Sequence, residues 1–198
     1  MRIGIDVNGV LRDTIGKFKQ TYEKFLIEKS EVFENDEFEY KITEPVESLT
    51  LTNHFTFKDE EEYLSFMYDE FPMQIFGHAG STELSTFHDL QDFYLENRDK
   101  HEITIFSQEK GKTKPATLFF LSKFGCEVES VKFYNQTTID RLWEDYDLIL
   151  TSDPELLSKV TIFTILIKYN TEYNKNSKIT WNVDTFKEFN ELIKKEIK

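Results

Sequence analysis

Two side chains open the chemistry of this chain. Asp6 and Asn8 follow a short apolar run in Met1-Arg-Ile-Gly-Ile-Asp6-Val-Asn8-Gly9-Val-Leu11. An acidic residue at the carboxyl end of a buried strand sits where open α/β sheets assemble their sites. Residues 6 and 8 have the period-2 relationship of a strand, so both can face one cavity. A carboxylate there can act as a nucleophile or hold a cation. The same Asp can equally end a strand and cap a turn. Further along, Ser107 ends the apolar run Ile103–Phe106, and Asp153 follows the run 147–151 just before Pro154. Ser107 suits the binding of an oxyanion or an ordinary turn. Asp153 suits a hard-cation ligand or a helix N-cap.

In order, these residues resemble the motif chain of the haloacid dehalogenase (HAD) superfamily, whose first motif is an apolar strand followed by Asp-x-Asp-Gly-x-Leu. The resemblance implies that Asp6 attacks phosphorus to form an aspartyl-phosphate and that Ser107 anchors a phosphoryl oxygen. It also implies that Asp6, the backbone carbonyl of Asn8 and Asp153 hold Mg2+. Three departures stand out. Asn8 replaces the aspartate that exchanges protons with the leaving oxygen and with water, a loss of ~10²–10⁴ in rate for a general acid–base group. The third-motif lysine has no counterpart in Asn135-Gln136-Thr137, so Lys112, Lys114 or Arg141 would have to supply its charge. The fourth motif, normally two acids, reads Thr151-Ser152-Asp153. The tail, with Tyr169-Asn170, Lys178 and Trp181, is similar to the 5′(3′)-deoxyribonucleotidase-like branch. The resemblance covers most of the chain and is weakest over 30–75.

The elements that must position these residues follow from hydrophobic period. Apolar runs at 2–6, 103–106, 130–134, 147–151 and 161–168 read as buried strands separated by helical patterns. That alternation predicts an α/β fold, a HAD-like, Rossmann-type parallel sheet with helices on both faces. Ile15, Phe18, Tyr22, Phe25 and Leu26 share a helical face. Segment 59–71 opens on acids, as a helix N-terminus favours. A small helical cap is therefore expected over 15–77, with the core formed by 1–14 and 78–198. Ser81 is the expected N-cap of a helix burying Leu84, Phe87, Leu90 and Phe93. Pro115 suits the first turn of a helix carrying Leu118, Phe119 and Leu121, and Asp184 the cap of a last helix with Phe186, Phe189, Ile193 and Ile197 inward.

Composition narrows the partners. The 198 residues are enough for one core and an insertion. A net charge of −13 argues against a nucleic-acid polymer as ligand, while leaving room for a small phosphate ester or nucleotide. One cysteine, Cys126, excludes an internal disulfide or a cysteine zinc site. No signal-peptide or membrane-spanning run is present, so a soluble, reducing compartment such as the cytoplasm is expected and no membrane. The wealth of Asn, Lys, Ile and Phe hints at an AT-rich, virus-like source. The four histidines lie at no metal-ligand spacing. Two functions are in contention. The eroded motifs favour a weakly active or non-catalytic relative that binds a phospho-ligand or a protein partner. The alternative is an active Mg2+-dependent phosphohydrolase of nucleoside monophosphates or similar esters.

Overall fold

A computed structural model describes residues 1–32, 39–108, 110–159 and 161–196. Strand β1 (Arg2–Asp6) leads through a turn into helix α1 (Thr14–Val32), and α2 (Glu60–Ser65) and α3 (Thr86–Asn97) follow. The core then alternates: β2 (Glu102–Gln108), α4 (Thr113–Lys123), β3 (Ser130–Tyr134), α5 (Leu142–Asp145), β4 (Leu148–Thr151), α6 (Pro154–Ser158), β5 (Ile165–Tyr169), β6 (Trp181–Val183) and α7 (Phe186–Glu196). The six strands form one sheet in the order β3-β2-β1-β4-β5-β6, and every pair is parallel. This is the expected α/β architecture.

Period-2 alternation divides the strands between two apolar layers. Ile3, Ile5, Ile103, Ile105, Leu148 and Leu150 pack with Leu90 and Phe93 of α3, Phe120 of α4 and Phe186, Phe189 and Ile193 of α7. Phe106 and Ile149 point the other way, against Leu142 and Leu156. The chain winds outward from β1 through β2 to β3, then returns to β4 on the far side of β1. The ends of β1 and β4 therefore flank the switch point where such sheets open a crevice.

Between β1 and α3 the chain builds its own core. Phe18, Tyr22 and Phe25 of α1 pack with Leu51, Phe55, Phe66, Met67, Ile75 and Phe76, and this cluster reaches Ala116 of α4. Phe18 meets Phe55 edge-on at 4.9 Å and Phe66 at 5.4 Å, geometry that adds ~0.5–1.5 kcal/mol per pair beyond burial. Asp59 caps α2 by accepting the Glu62 N–H at 2.8 Å, as the acidic opening of that segment foretells.

Four local expectations change. Strand β5 starts at Ile165, not 161, and Ile162 and Phe163 are 89% and 87% exposed in the preceding loop. Helix α3 begins at Thr86 behind Ser85, so Leu84 is fully exposed, while Ser81 donates its hydroxyl to the Glu83 carbonyl. On α4 the buried pair is Phe120 and Leu121, and Leu118 and Phe119 face outward. The hydroxyl of Thr185, rather than Asp184, accepts the Glu188 N–H at the start of α7; Ile197 lies outside the described residues. Strand β6, only three residues long, had no periodic signal to announce it. Among the described residues no helix is long and apolar enough to cross a membrane.

Candidate functional site

The switch point opens into a cleft of about 720 Å3. Asp6, Asn8, Gly9, Ser152 and Asp153 line its strand-end side, and Leu49, Leu51, Tyr63, Met67 and Tyr68 line the side built by the insertion. A groove of about 810 Å3 elsewhere, between the loop before β5 and residues 176–181, is lined by no acidic residue.

Asp6 is 2% exposed at the end of β1. Its Oδ2 accepts the Thr151 hydroxyl at 2.7 Å from the end of β4, and its Oδ1 accepts the Asn8 N–H at 3.2 Å. Burial pushes its carboxyl up to about 7, although the Thr151 hydrogen bond pulls the other way. Asp153 is also raised by burial; it caps α6 through the Glu155 N–H at 2.8 Å and accepts Gln108 Nε2 at 3.1 Å. The N-cap reading of Asp153 holds, and the same residue borders the cleft.

The turn after β1 closes tightly. The Leu11 and Arg12 N–H groups both donate to the Val7 carbonyl, with Gly9 at φ +70° between them. A Cβ on Gly9 would lie 1.9 Å from the Tyr173 hydroxyl and 2.2 Å from Ser152 Oγ. Only glycine meets both demands. Ser152 donates to the Asn8 carbonyl oxygen at 3.0 Å and shares a 2.8 Å bond with Tyr173, whose hydroxyl burial pushes up to about 12. Asn174 holds the far side of this loop through the carbonyls of Ser152 and Tyr169.

Ser107 lies at the end of β2, one residue past the Asp6–Phe106 pair, and is fully buried below the cleft. Its Oγ has no hydrogen-bond partner among the described residues. Such an atom costs free energy unless something absent from the bare protein completes it.

The expected cations do not converge on this place. Lys112 pairs with Asp69 at 3.5 Å, Lys114 lies over the Phe133 ring at 4.9 Å, and Arg141 is exposed in the turn 139–141; none lines the cleft. Nearness in sequence to Ser107 did not translate into orientation, because a helix start and a turn point these residues outward. Lys110 and Lys159 line the cleft instead. Sequence reasoning also missed Tyr173, Thr151 and Arg12. None of the three carried a signal that marked it in the sequence.

The donor set was tested against Mg2+, which the resemblance implies. Asp6 and Asp153 both border the cleft, but among the described residues no three His, Cys, Asp or Glu side chains gather as metal ligands. The Asn8 carbonyl, the expected third donor, already takes the Ser152 hydroxyl. Ser152 is a hydroxyl beside Asp153, where the resemblance implies a second acid. The residues present fall short of the implied magnesium site.

No protein-family model and no curated protein sequence matches this chain. Solved structures do. A haloacid dehalogenase-like hydrolase from Burkholderia xenovorans LB400 aligns over 96% of this chain and 94% of its own, at 11% identity and a TM-score of 0.59. The chain has a HAD-like fold. A dehalogenase with an intermediate complex covers 96% of both chains at 11% identity with a TM-score of 0.49. At this identity the likeness is one of fold.

Proposed function

We propose that this chain binds a small phosphate ester, of the nucleoside monophosphate class, in the cleft above Asp6 and hydrolyses it poorly. The observation that carries the reading is one cleft that joins a strand-end carboxylate, two lysines and an aromatic wall. Lys110 and Lys159 offer charge to a phosphoryl group, and Tyr63, Tyr68 and Trp143 offer faces to an aromatic substituent. Ser107, buried near the end of β2 with its hydroxyl unpartnered among the described residues, adds hydrogen-bonding capacity near the strand ends. Poor turnover follows from the groups that stand in the acidic positions. Asn8 has no proton to exchange, and Ser152 adds no negative charge for a cation.

Asp6 itself favours a second reading, active hydrolysis through an aspartyl-phosphate. Each of its oxygens accepts one hydrogen bond within the protein, and it borders the cleft. In that step Asp6 must be ionised, which its position near 7 permits in half of the molecules at neutral pH.

The test pairs thermal stabilisation by a panel of nucleoside monophosphates with phosphate release, both with and without magnesium. A ligand at 100 times its Kd stabilises by about 2.7 kcal/mol. Stabilisation with little release is expected. Absence of stabilisation by any monophosphate overturns the proposal. Rapid release that disappears in Asp6→Asn replaces it with the second reading.

A further inference from the structure

Arg12 is 0% exposed, and its surroundings single out one neighbour. Its guanidinium lies 5.0 Å from the Phe76 ring centroid and 5.3 Å from that of Phe120. Nη1 donates to the Thr117 hydroxyl at 2.8 Å and the Phe76 carbonyl at 3.2 Å, and Nε donates to Thr14 Oγ1 at 3.3 Å. Nη2 donates at 2.7 Å to the side chain of Asn8. A guanidinium has donors only, so the Asn8 atom it meets must be the oxygen, Oδ1. The Thr14 hydroxyl donates to the same oxygen at 2.9 Å. Two donors thus fix which way the Asn8 amide is turned. Its nitrogen, Nδ2, has no hydrogen-bond acceptor among the described residues, and Asn8 borders the cleft two residues beyond Asp6.

We propose that Asn8 Nδ2 is a preset hydrogen-bond donor to an oxygen of the bound phosphoryl group, with Arg12 and Thr14 as the residues that position it. The inference rests on the reading of the cleft as a phosphate-ester site. It changes the meaning of the substitution at position 8. An aspartate there would present its carboxylate to Arg12 and Thr14, remain an anion beside a buried cation, and lose the donor. Asn8→Asp therefore disables the site rather than restoring a proton donor. Preorganisation is the gain: an amide already held in place loses little freedom when the ligand arrives.

The experiment is a titration of ¹⁵N-labelled protein with inorganic phosphate, following the side-chain amide of Asn8, assigned by its absence in Asn8→Asp. Phosphate is expected to move that resonance together with the backbone amides of residues 6–9. Removal of a hydrogen bond to a charged group is worth about tenfold or more in affinity, so Asn8→Asp should bind phosphate at least about tenfold more weakly. Thr14→Val, which removes one of the two holding bonds, should show a smaller loss and a shifted Asn8 resonance before any phosphate is added. Phosphate that moves the cleft backbone but leaves the Asn8 side chain unmoved overturns this inference alone. So does wild-type affinity in Asn8→Asp. Phosphate that moves nothing in the cleft overturns the functional reading and this inference with it.

Discussion

Two neighbouring corners of the cleft floor are built to opposite standards. Around Arg12, most polar groups find partners: Asn8 Oδ1, the Thr14 and Thr117 hydroxyls and the Phe76 carbonyl all meet the guanidinium or one another. Around Asp6, satisfaction is incomplete. Ser107 Oγ has no partner among the described residues, and burial pushes the Asp6 carboxyl up to about 7. Both corners are buried, so burial does not explain the difference. A completed network contributes to holding the fold, and an incomplete one leaves capacity for a ligand. The contrast makes the first corner a support that fixes Asn8 toward the cleft and leaves open hydrogen-bonding capacity in the second.

The contrast breaks most visibly at Arg12. Arg12→Met keeps the aromatic contacts but leaves Asn8 Oδ1 and the Phe76 carbonyl short of a donor. Urea denaturation should show a loss of about 4 kcal/mol, near that of breaking a buried charged contact. A loss below about 1 kcal/mol would mean the corner does not hold the fold.

Asp6→Asn should act in the opposite direction. The folded state holds the Asp6 proton up to about pH 7, while the unfolded chain releases it near the ordinary carboxylate value of 3.8. Wild-type stability from this group therefore falls as pH rises from about 4 to about 7 and is level above. The variant escapes that penalty and should be more stable by about 4 kcal/mol at pH 8, with the gap closing toward pH 4. A gap that does not change with pH would remove the claim of a strained carboxylate.

Gly9→Ala tests the turn the two corners share. A methyl at φ +70° that also meets Tyr173 and Ser152 should cost about 2 kcal/mol and reduce ligand-induced stabilisation, because the loop carrying Asp6 and Asn8 must shift. Ser107→Ala should have the smallest effect on stability, within about 0.5 kcal/mol, since no hydrogen bond is lost. Its effect on phosphate affinity should reach about tenfold. Thermal melts and phosphate titration of the same variant separate the two. Equal losses in both would place Ser107 with the structural corner.

The sheet was readable because its central strands are buried on both faces and run apolar without interruption, as in Ile103–Phe106 and 147–151. Period alone misled where an apolar run had no sheet to join. Ile162 and Phe163 have the composition of a strand and stand in solvent. Trp181–Val183 pairs in the sheet through backbone bonds that no three-residue pattern encodes. At the site, Asp6, Asn8 and Asp153 were legible because strand ends are, and the cap segment of aromatic residues did form a cluster of its own. The cations were not. Lys112, Lys114 and Arg141 were inferred from proximity along the chain, whereas Lys110 and Lys159 reach the cleft from loops whose direction only the fold sets. Arg12 was unreadable for a different reason. A charged residue is assumed to be solvated, and the partners that permit its burial come from residues 8, 14, 76 and 117.

That spread of partners gives Arg12 a mechanical role. One side chain is pinned to the turn after β1, to the segment returning from the insertion at Phe76, and to α4 at Thr117. A tug on any of these is felt by the other two through a rigid planar group. Engagement of the Asn8 amide should therefore quieten fluctuations in the return segment, read as slower backbone hydrogen exchange at residues 75–78, more than 60 positions downstream, without the ligand touching it.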